Sequence, residues 1–269
     1  MKDHEIKQIV RKSYAKAAKR TSCCGPQPAK EGACCGDAKS KNIGYNVQEL
    51  ESVPEGSDLG LGCGNPVAIA SLKTGETVLD LGAGAGFDCF LAAKKVGQNG
   101  KVIGVDMTPE MIDRARENAQ KGDYDNVEFR LGEIEHLPVA DNSVDAVISN
   151  CVINLAPNKY DVMKEVYRVL KPGGRVAISD LALRGELPIK IRNNMAAYVS
   201  CVAGAIHVDE YKKAVVSAGF RDVKFTINKA TGCSGPTEDQ KAADTLKLTT
   251  DEYSKLSETV VSVYIEARK

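Results

Sequence analysis

The sequence has no tryptophan, and aromatic residues make up only 5% of its 269 positions. Stacking platforms of the kind that hold single-stranded nucleic acid are therefore not expected. Net charge is also missing: 36 Lys and Arg are balanced by 36 Asp and Glu, so nothing draws the chain towards a polyanion or an anionic membrane. No apolar run approaches the roughly 18 residues that a membrane span needs. The opening segment, MKDHEIKQIV, lacks the apolar stretch and small-residue cleavage pattern of a secretory signal. Together these absences predict a cytoplasmic protein with no nucleic-acid or membrane partner. Histidine is scarce as well. His4, His136 and His207 are the whole supply, which leaves few imidazoles for general-base work.

Cysteine is plentiful by contrast, with nine residues. An odd number cannot pair completely, and cytosolic thiols stay mostly reduced. Such a set points to metal, metalloid or redox chemistry. Burial as a small hydrophobe is the competing reading at each position. The remaining composition, 43% hydrophobic and 27% charged, is that of an ordinary globular chain.

Residues 3–20 carry an apolar stripe of Ile6, Ile9, Val10, Tyr14 and Ala17 on a basic surface, the pattern of an amphipathic helix. Residues 21–42 hold Gly, Pro, Lys and two CCG triplets, and read as a loop. A short helix around 48–52, a glycine-rich turn and a short helix after Pro66 come next. From Thr77 strands and helices alternate: strands at 77–81, 101–106, 127–131, 144–149 and 175–180, and helices at 87–96, 108–121 and 159–170. That alternation predicts an α/β fold, doubly wound on a mostly parallel sheet. Helices are expected at 188–200 and 208–218, closing strands at 222–228 and 260–267, and a loop with some helix at 234–257. Three regions result: an N-terminal extension (1–73), a nucleotide-binding-type core (74–183), and a region that completes the sheet and the substrate site (184–269).

The segment Val78-Leu79-Asp80-Leu81-Gly82-Ala83-Gly84-Ala85-Gly86 is a strand entering a glycine turn that opens a helix. Glycines there allow a tight turn and close approach of a ligand to the backbone. Their alternate spacing favours a nucleoside lying against the turn over a pyrophosphate at the helix N-terminus. Asp106 ends the second strand, where a carboxylate can bind ribose hydroxyls. Cys151 comes after the fourth strand on the same rim, the edge at which doubly wound sheets bind ligands. Cys63 lies between two glycines in a loop, a setting that favours a reactive thiol. Cys201, in an apolar stretch, reads equally as a structural or a site thiol. Cys89 reads as core, and Cys233 stays open. Cys23, Cys24, Cys34 and Cys35 lack the C-x-x-C spacing of a structural zinc site.

The run from Asp80 to Gly86, with Asp106, the Leu137-Pro138…Asp141…Ser143…Asp145 segment and Arg168-Val169-Leu170-Lys171-Pro172-Gly173-Gly174, resembles the class I S-adenosylmethionine-dependent methyltransferases. That resemblance implies S-adenosyl-L-methionine as cofactor. It places Gly82, Gly84 and Gly86 by the methionine part, with Asp80 in the same motif. Asp106 falls on the ribose, Met107 on the adenine, Glu133 and Ile134 at the adenine edge, and Asn150 near the sulfonium. The segments LGLGCGNP, ISNCVINL and YVSCVAGA resemble the arsenite methyltransferases in particular. This second resemblance implies that Cys63, Cys151 and Cys201 bind trivalent arsenic as catalytic ligands. It also implies arsenite or its thiol conjugates as substrate, with thioredoxin or glutathione as reductant. Two other readings remain open: a methyltransferase for a small carbon or oxygen nucleophile such as a quinone precursor, and a non-catalytic thiol-based metalloid-binding protein.

Overall fold

The computed structural model describes residues 2–19, 37–229 and 249–269. Cys23, Cys24, Cys34, Cys35 and Cys233 lie outside the described residues. The predicted alternation from Thr77 is observed. Strands β1 (Thr77–Leu81), β2 (Lys101–Asp106), β3 (Val127–Leu131), β4 (Val144–Asn150) and β5 (Leu170–Leu183) pair in parallel, and β6 (Arg221–Lys229) and β7 (Val260–Arg268) join antiparallel in the order β3-β2-β1-β4-β5-β7-β6. The order reverses between β1 and β4, so the carboxyl ends of these two strands frame a crevice.

Alternation along the strands sends side chains to two apolar layers. Leu79, Leu81, Val105 and Val147 pack on one face with α7 (Lys159–Val169) and α10 (Val208–Ser217). Val78, Val102, Ala146 and Ile148 pack on the other with α5 (Phe87–Val96) and α6 (Pro109–Lys121). The N-terminal helix α1 (Asp3–Ala18) and the short helices α2 (Asp37–Asn42), α3 (Val47–Glu51) and α4 (Pro66–Ile69) precede the sheet. Asn65 caps α4 by accepting the Ala68 N–H at 3.0 Å, with Pro66 at the first helical position, as the Asn-Pro pair dictates.

Three expectations needed adjustment. Helix α2 occupies the end of the stretch read as loop, beyond its last Gly. The 188–200 helix is two, α8 (Ile189–Arg192) and α9 (Met195–Val199), because Asn194 turns its side chain back to accept the Ala196 and Ala197 N–H groups. Strand β5 begins at Leu170, since the Lys-Pro-Gly-Gly segment is drawn into the sheet: Gly173 N–H donates to Lys269 O and Lys269 N–H to Gly174 O. The last helix, α11 (Thr250–Thr259), leads into β7. Among the described residues no helix is long and apolar enough to cross a membrane.

Candidate active site

The crevice at the carboxyl ends of β1 and β4 is a cleft of about 1060 Å³, open mouth included. Asp80, Gly82, Gly84, Asp106, Met107, Ile134, Asn150 and Cys151 all line it. The glycine turn is bent by positive φ at Gly82, Gly84 and Gly86. At Gly82 space matters too: a Cβ there would lie 2.7 Å from the Val152 Cβ, so only glycine lets β1 end against the residue after Cys151. Gly86 starts α5 and sits on Phe90 and Phe129, and is not among the lining residues. The Asp106 carboxylate is buried, accepting the Gly84 N–H at 3.0 Å and the Thr108 N–H at 2.8 Å. Burial raises its pKa, and those bonds to the ionised form oppose the rise. Glu133 faces α1 instead, its carboxylate 2.8 Å from Lys7 Nζ and 3.7 Å from Arg11. Its neighbours Gly132, Ile134 and Glu135 line the cleft.

Three predicted thiols come together beside this cleft, and of them only Cys151 is among its lining residues. Cys151 is the residue after β4, Cys63 comes from the glycine loop, and Cys201 lies just past α9; all three are free. Cys63 Sγ, Cys151 Sγ and an Asp180 carboxylate oxygen lie within 4.8 Å of one another. Cys201 Sγ is not part of that set, and donates to the Cys151 carbonyl oxygen at 2.8 Å. Cys151 and Cys201 both have left-handed backbones, with φ of 58° and 64°. That conformation costs a non-glycine residue about 1–2 kcal/mol, and such outliers gather at functional sites. The thiol pKa of Cys63 is raised by burial, and that of Cys151 well above its usual value by its thiol neighbours Cys201 and Cys63 and by burial. Cys89 is buried in α5 and its thiol donates to Asp80 at 3.2 Å, the core position expected for it.

Glycine makes the Cys63 loop possible. A Cβ at Gly62 would lie 2.6 Å from Asn150 Nδ2, and one at Gly64 would meet Ser179 Oγ and lie 2.7 Å from Tyr264 Oη. Asn150 holds the loop: its Oδ1 accepts the Cys63 N–H at 3.0 Å, and its Nδ2 reaches Gly64 O at 2.8 Å, Tyr45 Oη at 2.9 Å and Asp88 Oδ2 at 3.0 Å. The far strand β7 holds it too, since Ser262 Oγ donates to Cys63 O at 3.5 Å and Tyr264 Oη accepts the Asn65 N–H at 3.3 Å. Helix α1 roofs the thiols, with Val10 fully buried against Cys151 and Cys201 and the Tyr14 hydroxyl donating to Val199 O at 3.3 Å.

Sequence reasoning missed Asp180, Asp88, Asp58 and Tyr45. Asp180 is buried within β5, three residues before its end, and accepts from Asn154 Nδ2 at 2.9 Å and Tyr211 Oη at 3.2 Å. Burial pushes its carboxyl up to about 6. Asp88, likewise raised to about 6 by burial, accepts from Tyr45 Oη at 2.6 Å. Its signal was a carboxylate in the first turn after the glycines, a position the apolar helix behind it did not require.

The family described as Methyltransferase domain matches residues 72–219. The chain is 49% identical to an arsenite methyltransferase of Halobacterium salinarum, over 82% of this chain and 59% of that protein. It is 34% identical to the human arsenite methyltransferase, over 82% and 59%. It therefore spans about six-tenths of the length of the curated relatives it matches. Among solved structures, the arsenic(III) S-adenosylmethionine methyltransferase of Chlamydomonas reinhardtii is similar with a TM-score of 0.62 at 33% identity, covering 87% of this chain and 73% of that one. With this fold, this cleft and these matches, the chain belongs to the arsenite methyltransferase family of the methyltransferase-domain proteins.

Proposed function

We propose that this chain transfers methyl groups from S-adenosylmethionine to trivalent arsenic held by Cys63, Cys151 and Cys201. The observation that carries the proposal is that three free thiols from three separate segments pack together, Cys63 and Cys201 on either side of Cys151, where Cys151 lines the cleft. A methyltransferase acting on a carbon or oxygen nucleophile has no use for that set.

The lining suits the cofactor. Asp106 offers a carboxylate for ribose hydroxyls, Met107 and Ile134 offer apolar surface for the adenine, and Glu133 stands beside that edge. The turn of Gly82, Gly84 and Gly86, with Asp80 before it, serves the methionine half. Asp58 Oδ2, buried without a hydrogen-bond partner at the same cleft, fits a ligand that brings a cation. When bound, the cofactor supplies a methyl group on a sulfonium and leaves as the neutral thioether.

Raised thiol pKa values keep Cys63 and Cys151 protonated near neutral pH. Arsenous acid is neutral there as well. Exchange of its hydroxyls for thiols forms As–S bonds and releases water, so no net charge enters the buried site. Three sulfurs leave the arsenic lone pair free to attack the methyl carbon in line. With S-adenosylmethionine bound, its sulfonium would be the leaving group and would keep the electron pair of the bond to the methyl carbon. No proton leaves the nucleophile, so no base is needed. The residues act by holding arsenic and methyl carbon in near-attack geometry. Arsenic becomes formally pentavalent, and two electrons from a pair of site thiolates return it to the trivalent state as a disulfide forms. A thiol reductant of the thioredoxin or glutathione type then reopens the disulfide.

The test is incubation with methyl-labelled S-adenosylmethionine and a thiol reductant, with and without arsenite, and mass analysis of arsenic species. Labelled methylarsenicals formed only with arsenite are expected. Their absence overturns the proposal.

A further inference from the structure

The loop over residues 57–64 carries two groups that face different chemistry. Cys63 stands near its end, beside Cys151. Asp58 stands near its start, where Oδ1 accepts the Gly60 N–H at 2.8 Å and Oδ2 is buried with no partner. Asp58 and Asp88 line the same cleft, and neither takes part in an ion pair among the described residues. The cleft's one lining lysine, Lys7, is taken by Glu133 and Glu135. Two carboxylates at one end of a low-dielectric cleft repel each other, and a cation between them removes the repulsion.

Asn150 joins this pair to the thiol. One face of its amide reaches Asp88, and the other accepts the Cys63 N–H. Gly60 and Gly62 give the intervening chain its freedom: Gly60 has φ of 62°, and Gly62 touches Asn150 where no side chain fits. The loop is therefore tied to the acid pair at its start, through Asp58, and at its end, through Asn150.

We propose that Asp58 and Asp88 together hold the ammonium of the cofactor's methionine half, and that Asp58 and Asn150 thereby fix the 57–64 loop with Cys63 presented to arsenic. This rests on the proposed function for the identity of both ligands. Asp58 and Asn150 are positioning residues: they act on arsenic through Cys63. Ordering of the loop by the first ligand spares the second that ordering, so the two binding events reinforce each other. The coupling is reciprocal, with arsenite tightening the cofactor by the same factor.

The experiment is calorimetric titration of the full chain with arsenite under a non-thiol reductant, with and without saturating S-adenosylhomocysteine, which keeps the ammonium and cannot react. In the parent, arsenite affinity should rise about fivefold or more when the cofactor product is bound, the lower end of usual coupling factors. Asp58→Asn keeps an oxygen for the Gly60 N–H and removes the charge; its affinity ratio should fall to about one. Asn150→Ala should do the same. A purely structural role weakens both titrations and leaves the ratio intact, so a fivefold ratio in folded Asp58→Asn overturns the inference even if Asn150→Ala fails to fold. A ratio near one in the parent, beside normal arsenite-dependent methyl transfer, overturns this inference alone. A parent that binds no arsenite overturns it together with the proposed function.

Discussion

Gly62→Ala adds one methyl group and should disable the site. Gly62 has no positive φ, so the backbone accepts alanine and the effect is steric alone. The new Cβ would start 2.6 Å from Asn150 Nδ2 and 3.1 Å from its Cγ. Ordinary contact begins near 3.4 Å, so the two must part by about 0.8 Å. A free side-chain end would swing aside. The Asn150 amide is held by Asp88, Tyr45, Gly64 and Cys63 at 2.8–3.0 Å, so it cannot move without stretching those bonds. Overpacking of this kind destabilises by about 1–3 kcal/mol. The larger effect is on geometry. If the loop gives way instead, Cys63 moves by nearly an ångström, and a displacement of about 1 Å can slow a reaction by about 10²-fold. Urea unfolding reads the first effect, and arsenite-dependent methyl transfer with thiol-labelling rates at Cys63 reads the second. Asn150→Ala makes room for the added methyl, so Gly62→Ala placed on that background should cost almost nothing more. Parent-like activity in Gly62→Ala, or full additivity in the double variant, refutes the reasoning.

Asp88→Asn should flatten the pH dependence of stability. The folded-state value near 6 lies above the ordinary carboxylate value of 3.8 because the group is buried. Its contribution is fully present below the unfolded value and is lost as pH rises through 6. That is about 3 kcal/mol between about pH 4 and 7, and an unchanged slope in urea melts of the variant contradicts it. Arsenite affinity should be nearly constant from about pH 6 to 8 because thiols are exchanged for water, whereas zinc affinity at the same thiols should climb as protons are displaced; parallel pH profiles in calorimetry would exclude the neutral exchange. Cys151→Ser should abolish arsenite-dependent methylation while Cys89→Ser retains it, measured by labelled methyl transfer; the reverse order would show that the wrong thiols have been assigned.

The sheet was legible because a buried parallel strand leaves a mostly apolar run ended by glycines, as in Val78–Leu81, interrupted only by Asp80, before Gly82. The rim was legible for the same reason: Asp106 closes one strand and Cys151 is the next residue after another. Asp180 lies inside β5, which runs on to Leu183, and nothing in its sequence neighbours separates a buried carboxylate from a surface one. Only the approach of Tyr211 and Asn154, from distant segments, makes it part of the site. Tyr45 was hidden likewise, since its partners Asp88 and Asn150 reach it only after folding, and Asp58 because its one contact, to the Gly60 N–H, is an ordinary local turn bond. Glu133 was expected at the adenine edge, and its pairing with Lys7 could not be foreseen without knowing that α1 lies across the cleft. The split at Asn193-Asn194 shows local chemistry overriding an apolar pattern, because an amide side chain offers the backbone a cap.

The contacts from β7 to the Cys63 loop bridge 199 positions of sequence. During synthesis at about 5–20 residues per second, roughly 10–40 s separate the emergence of the loop from that of the strand that braces it. For that interval the nascent chain displays Cys63 without Ser262 or Tyr264 to fix its turn, although Cys151 and the strand bearing Asp180 emerge earlier. Reducing surroundings during translation thus matter to this protein before any ligand reaches it, because a thiol oxidised on the ribosome would enter the finished loop already disqualified.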